Sequence, residues 1–407
     1  MENGNLLPRP PHHAGDVVSA GGARKWRVLV AGTSFGRIYL DAVASANESF
    51  ELAGVLARGS DYSRDCARRY GVPLYTRVEE VPGDIDIACV VLRSAATGGD
   101  GAEVAKVLLE RGIHVLQEHP VHVTEITSCL QAAKRGGGAY AVNTLYPNVR
   151  PIRQFLAVAA YLRQHQRLEF IDAACNSQVA YPLLDVIGRA AGALRPWSFE
   201  VCAPREVGSS SAPRRPFQSL DATIGGVPVN LRVQNQVHPE DPDNHSHFMH
   251  RLALGFDAGV LTLADTHGPV LWNARLHSPR DATGRLLMSG PGTERLAVTS
   301  TSILGDVDAC SYHEIFATMW PDAVTVALHN LREDVADPAR RIRAGQWALG
   351  VSSAWRDLTA RIGMPELIRP AAPQPISVND LRLAASAATR ARLQTACNEQ
   401  QSNTDGR

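Results

Sequence analysis

Between Trp26 and Thr144, short apolar runs alternate with stretches of helical spacing, and no other feature of the chain narrows its fold as far. Trp26 to Ala31, Phe50 to Ala57, Val72 to Tyr75, Ile85 to Leu92, Ile113 to Leu116 and Ala139 to Thr144 read as strands. The stretch through Ile38, Leu40, Ala42 and Val43 reads as a helix, as do Asp61 to Tyr70, Gly101 to Arg111 and Glu125 to Arg135. Ile85 to Leu92 is apolar except for Asp86, as expected of a strand covered on both faces. Strand–helix alternation of this kind predicts right-handed crossovers and a parallel, doubly wound sheet.

After Pro147 the rhythm changes. Arg150 to Arg163 reads as one helix. From Leu168 to about Leu328 the runs are longer and alternating, as in Val227 to Val233, Arg251 to Phe256 and Gly259 to Ala264. They predict a largely antiparallel sheet with intervening helices. Arg340 to Ile362 is helical again. A chain of 407 residues is too long for one ordinary core, and the split falls near Tyr146 to Pro151. The fold class is therefore α/β: a doubly wound domain over 26–147 and an α+β domain over 148–370. A flexible extension precedes them over 1–25, and a C-terminal extension follows over 371–407, polar and frayed from Asn398. Ser209 to Pro216 form a Ser/Pro/Arg-rich loop.

Composition excludes several functions. The formal net charge is zero, so no whole-protein basic field exists for nucleic acid. No run approaches the roughly 18 apolar residues of a membrane span, and Met1 to Arg24 lacks the apolar core of a signal peptide. Cys66, Cys89, Cys129, Cys175, Cys202, Cys310 and Cys397 are scattered without a C-x-x-C pair. This pattern fits reduced thiols in a cytoplasmic protein. His238, His245, His247 and His250, with Asp241 and Asp243, lack the spacing of a zinc site and read as a polar loop entering a strand, so no metal is expected.

The first strand ends in Gly32-Thr33-Ser34-Phe35-Gly36. Against the G-x-G-x-x-G fingerprint, Ala31 and Thr33 replace the first two glycines and only Gly36 is kept. The turn follows a strand and opens a helix, whose free N–H groups and positive dipole end suit a pyrophosphate. An ordinary strand-to-helix turn is the other reading. The second strand ends in Ala57-Arg58-Gly59-Ser60, with Arg64 one turn on and no carboxylate before Asp61. An NAD site places Asp or Glu there; a guanidinium and hydroxyls suit a 2′-phosphate, so NADPH is the expected cofactor. After the fourth strand, Arg93, Ser94, Thr97, Gly98 and Gly99 would let a cofactor pass close to the backbone.

Gln117-Glu118-His119-Pro120 follows the fifth strand, and Val142-Asn143-Thr144 with Tyr146-Pro147 ends the sixth. With Asp86-Ile87-Ala88-Cys89, Asp241-Pro242-Asp243 and Met249-His250-Arg251, these segments resemble the thiazolinyl imine reductases of siderophore biosynthesis. These are a branch of the glucose-fructose oxidoreductase-like superfamily, whose first domain is a Rossmann fold. The matches run from the first strand to about Ile362. Most of the superfamily carries Glu-Lys-Pro where this chain has Glu118-His119-Pro120. The resemblance implies NADPH-dependent reduction of a thiazoline C=N bond to a thiazolidine. The substrate would be a thioester on the carrier domain of a nonribosomal peptide synthetase, as in pyochelin- and yersiniabactin-type pathways, and the enzyme a homodimer.

Reduction of an imine leaves charge on nitrogen, so a positioned acid is useful. His119 and Tyr146 match the positions proposed for this role in the family, Tyr146 being the favoured donor with His119 orienting or relaying. The reverse assignment and water stay open. Glu118 and His119 would also border the cofactor, and Asn143 the substrate. Asp185-Val186-Ile187-Gly188-Arg189 stands where sugar-oxidising relatives carry Asp-x-Gly-x-His, without the histidine. Asp185 binds substrate or caps local backbone. A sugar or inositol dehydrogenase and a non-catalytic NADP-binding assembly protein are the competing readings.

Overall fold

The computed structural model describes residues 24–202, 215–305 and 310–388. The extension before residue 24, most of the Ser209–Pro216 loop, Cys397 and the polar end lie outside them.

The first sheet is built from β1 (Trp26–Ala31), β2 (Phe50–Leu56), β3 (Leu74–Tyr75), β4 (Ile87–Val90), β5 (His114–Glu118) and β6 (Tyr140–Asn143). All pairs are parallel and the order is β3-β2-β1-β4-β5-β6, with the reversal between β1 and β4. The crossovers are α1 (Gly36–Ser45), α2 (Asp61–Tyr70), α3 (Gly101–Glu110) and α4 (Val123–Gly136). Helix α2 is bounded by local chemistry. The Ser60 hydroxyl accepts from Ser63 N at its start, and Gly71 takes the left-handed conformation at its end. Strand β5 runs two residues past the apolar run, because Gln117 and Glu118 pair with Val142 and Asn143 of β6.

The chain continues through α5 (Arg150–His165), β7 (Leu168–Asn176), α6 (Ala180–Ala191), β8 (Trp197–Val201), β9 (Gln218–Ile224) and β10 (Val227–Gln234). Then come β11 (Gln236–Val237), β12 (His250–Phe256), β13 (Gly259–Leu263), β14 (Val270–Ala274) and β15 (Thr301–Leu304). Eight of these strands form the second sheet, ordered β15-β14-β13-β12-β7-β10-β9-β8. Every neighbour is antiparallel except β7 and β10. Along β10, Val229, Leu231 and Val233 are buried while Asn230 and Arg232 face out, the period-two pattern of a sheet covered on one face.

The strands end at Leu304, short of the expected Leu328. A short helix α7 (Tyr312–Glu314), a π-helical turn over Ile315–Met319 and helix α8 (Trp320–Ala336) follow. Helix α9 (Pro338–Ile362) leads to β16 (Glu366–Leu367), which pairs with β11. Helix α8 packs on α1, and α9 packs on α4, α6, α8 and β6, so the end of the chain returns to the first sheet. One hydrophobic core accordingly runs from Val28 through Leu328 and Val351 to Leu252; a second lies between the first sheet and α3 and α4. No helix among the described residues is long and apolar enough to cross a membrane.

Candidate active site

Strands β5 and β6 end side by side, with Glu118 opposite Asn143, and this register builds the site. The His119 backbone N–H donates to the Asn143 carbonyl at 3.1 Å, and His119 Nδ1 lies 3.2 Å from the same oxygen. Glu118 Oε1 is 2.9 Å from His119 Nδ1. The other carboxylate oxygen accepts from the Tyr39 hydroxyl, which in turn accepts from Asn143 Nδ2 at 2.6 Å. Tyr39 comes from α1 and is fully buried.

Past β6 the chain makes a tight three-residue turn. Leu145 takes φ 57° and ψ −62°, and Tyr146 N–H donates back to the Thr144 carbonyl at 2.6 Å. A leucine in this conformation is strained. It is held by burial and by its own N–H, which donates to Asn143 Oδ1 at 3.0 Å. The turn delivers Tyr146 to the His119 ring edge, with centroids 6.3 Å apart. His250 lies 4.6 Å away on another side of the Tyr146 ring, and Trp320, at the junction of the π-helical turn and α8, lies 6.3 Å away. Trp320 also contacts Phe35 of the glycine turn at 5.7 Å, joining the two halves of the site. Tyr181 of α6 stacks on His119 at 5.8 Å.

Among the described residues the Tyr146 hydroxyl reaches only Met249 Sδ, at 3.7 Å. Burial, then the charges of Glu118 and Asp243, push it well above the ordinary phenol range, so it remains a hydrogen-bond donor. Asp185 has both oxygens occupied inside the chain. They accept from Thr144 Oγ1 at 2.5 Å, Arg189 Nε at 2.6 Å and Trp347 Nε1 at 2.7 Å. Asp185, Thr144 and Trp347 line a cavity of about 350 Å³ beside β6. Neither His119 nor Tyr146 lines it; Tyr181 touches both regions.

The nucleotide-site candidates gather at the carboxyl edge around the β1–β4 reversal, where open α/β sheets bind ligands. Gly32 has φ +98°, and a Cβ there would lie 2.3 Å from the Val91 carbonyl oxygen. Helix α1 opens at Phe35 without a side-chain cap, leaving Thr33, Ser34 and Gly36 around an unblocked N-terminus. Arg58, Gly59 and Arg64 cluster at the end of β2. The Arg58 guanidinium is exposed and 4.0 Å from Asp100, while Arg64 approaches Gly59 and pairs with Asp61. Ser60 serves as the α2 cap. In the loop after β4, the Ser94 hydroxyl donates to the Pro120 carbonyl at 2.6 Å, tying this loop to the one that carries His119. Gly98 is left-handed, and a Cβ at Gly99 would meet the Arg93 carbonyl at 2.2 Å. Arg93 and Thr97 flank that bend.

The histidine-rich segment divides. His238 stacks on His245, which pairs with Asp241, whereas His250 is buried in β12. Among the described residues no group of three His, Cys, Asp or Glu side chains could hold a metal. Sequence reasoning passed over Tyr39, Tyr181 and Trp320. Tyr39 alone left a trace there, as a hydroxyl on the face of α1 that also carries Val43.

Two family models match the chain. Residues 26–144 match the oxidoreductase family with an NAD-binding Rossmann fold, and residues 166–273 match the C-terminal domain of Irp3-like thiazolinyl imine reductases. The two matches, one in each domain, support a thiazolinyl imine reductase type of oxidoreductase. No curated protein sequence matches it. Solved structures do. GenD2 from gentamicin A biosynthesis, in complex with NAD, gives a TM-score of 0.58 at 13% identity over 88% of this chain and 97% of its own. UDP-N-acetylglucosamine 3-dehydrogenase GnnA from Acidithiobacillus ferrooxidans gives 0.56 at 14% identity, over 84% and 98%. Levoglucosan dehydrogenase, in complex with NADH and levoglucosan, gives 0.56 at 12% identity, over 83% and 98%. Identities this low carry the shared fold. The site of this chain carries His119 after Glu118 and Arg189 four residues after Asp185.

Proposed function

We propose that the chain reduces the C=N bond of a thiazoline ring to a thiazolidine, using NADPH, on a siderophore intermediate tethered to a carrier domain of a peptide synthetase. The observation that carries this reading is the His119–Tyr146 pair at the carboxyl edge of the first sheet, in a chain with an Irp3-like match in its second domain. NADPH fits the residues present. The uncapped N-terminus of α1 suits the pyrophosphate, Gly32, Gly98 and Gly99 keep the backbone bare, and Arg58 with Arg64, whose present partners are Asp100 and Asp61, suits a 2′-phosphate at a strand end that carries no carboxylate before Asp61. When bound, it supplies the two electrons and one hydrogen that go to the imine carbon.

The chain's own residues manage the second hydrogen. A proton donor works best when it exchanges near the operating pH. Imidazole meets that condition as a side-chain type, whereas burial drives the Tyr146 hydroxyl the other way. We therefore assign proton delivery to His119 and assign Tyr146 to hold the ring nitrogen by a hydrogen bond, reversing the order favoured from sequence. Asn143 and Asp185 shape the site through the bonds already described. The carrier arm enters from outside in this reading, in the cytoplasm, and the open face of the second sheet pairs two copies into a homodimer.

The test supplies a carrier-bound thiazolinyl thioester with NADPH. Reduced nicotinamide should disappear and the product should gain two hydrogens by mass; neither happening would overturn the reading. His119→Ala should lower turnover about 100-fold and Tyr146→Phe about 10-fold, with NADPH affinity unchanged. Equal turnover in both variants and the parent would leave water as the acid. Sugar oxidation with NAD or NADP as acceptor is the control for the dehydrogenase reading. Arg189, bonded to Asp185 where those enzymes need a base, argues against it.

A further inference from the structure

Tyr39, Glu118, Asn143 and the His119 ring form a closed circuit of hydrogen bonds, and the direction of each can be worked out. Asn143 Nδ2 can only donate, so the Tyr39 oxygen accepts from it. Burial first, then Glu118, keeps the Tyr39 phenol protonated, so its O–H donates to Glu118. The Asn143 carbonyl can only accept. His119 Nδ1 therefore lies between two acceptors, Glu118 Oε1 at 2.9 Å and the Asn143 carbonyl at 3.2 Å. A ring nitrogen so placed has to carry a hydrogen. Among the described residues Nε2 makes no hydrogen bond, which leaves it as the atom free to exchange a proton.

We propose that Tyr39 and Glu118 are positioning residues that lock His119 with its hydrogen on Nδ1 and turn Nε2 into its single exchanging atom. The proposal rests on the reading of His119 as the proton source, and neither residue touches substrate in it. Tyr39 fixes one oxygen of Glu118; Glu118 fixes the ring; Asn143 anchors both, since its side chain holds Tyr39 and its carbonyl holds the His119 backbone. Side-chain exposure of about a tenth or less throughout keeps water from competing for these bonds. The circuit joins α1, β5 and β6, so the first helix of the nucleotide fold governs a side chain two strands beyond its own.

The deciding experiment is nitrogen-15 NMR of the histidine-labelled full-length chain, with the His119 resonances identified by their loss in His119→Asn. The parent should show hydrogen on Nδ1 with Nε2 bare in the neutral form. Glu118→Gln, whose amide can donate to Nδ1, should move the hydrogen to Nε2. Tyr39→Phe, which removes one oxygen and keeps the packing, should give a mixture of the two tautomers. In turnover, Tyr39→Phe should lower kcat about 10-fold with KM and NADPH affinity unchanged, and Glu118→Gln about 100-fold. Hydrogen on Nε2 in the parent would overturn the proposal. So would a Tyr39→Phe chain with the parent's tautomer and kcat and only a lower melting temperature. The tautomer is read without substrate, so a parent inactive on thiazolines would remove the proposed reaction while leaving the positioning test decided on its own.

Discussion

His250 backs the Tyr146 ring with both of its nitrogens bonded, Nε2 to the Val179 carbonyl at 2.9 Å and Nδ1 to Thr266 Oγ1 at 3.1 Å. Burial pushes its pKa down to about 4. The unfolded chain therefore binds a proton that the folded chain refuses between about pH 6.5 and 4, and stability rises with pH across that window. The contribution is complete above about pH 6.5 and is lost on acidification towards pH 4, in total about 3 kcal/mol. Urea midpoints at pH 7.5 and 5 should differ less in His250→Gln than in the parent; an unchanged difference would refute this. The Arg58 guanidinium, exposed beside Arg64, supports a second expectation. Arg58→Ala should weaken NADPH about 10-fold or more, as for one lost charge-assisted contact of about 1.5–3 kcal/mol, and leave NADH nearly unaffected. Equal losses in titrations of the two would exclude a 2′-phosphate role. At this scale the sequence singled out residues whose type is rare at their place, such as His119 and Arg58. It was silent where function passes through a contact: nothing in the order of residues says that Tyr39 meets Glu118 across the fold.

Among the elements, the turn from β1 into α1 depends on one glycine more than on the other. Gly32 combines a left-handed φ with a 2.3 Å approach of its would-be Cβ to Val91 O, whereas a Cβ on Gly36 would make an ordinary contact with Val30 at 3.5 Å. Gly32→Ala should therefore destabilise by about 1–3 kcal/mol, read as a lower urea midpoint, and Gly36→Ala should leave it nearly unchanged. Elements closed by local chemistry were legible to the residue: α2, between its Ser60 cap and Gly71, is the clearest. Elements set by long-range pairing were not. Strand β5 extends through Glu118 because β6 lies beside it, and β10 runs parallel to β7 for reasons no local window contains. Helix α8 was hidden differently. Ala323, Val324, Ala327, Leu328 and Leu331 carry a helical stripe, but the π-helical turn before it inserts an extra residue and shifts the phase of the apolar pattern.

For the whole molecule, the continuous core joining the first sheet, α8, α9 and the second sheet predicts one cooperative unfolding transition rather than two. Calorimetry should give a single peak whose calorimetric and van't Hoff enthalpies agree; two resolved peaks would mean that the sheets are thermodynamically separate. The same arrangement has a consequence for biosynthesis. Strand β6 is an edge of the first sheet, and α8 and α9, which pack against it, begin only at Trp320 and Pro338. A ribosome adding ~5–20 residues per second leaves that edge bare for on the order of ten seconds or more after β6 has emerged. During that interval the nascent first domain presents an unpaired parallel edge, so its yield in the cell should depend on chaperones that shield strand edges until the last helices arrive.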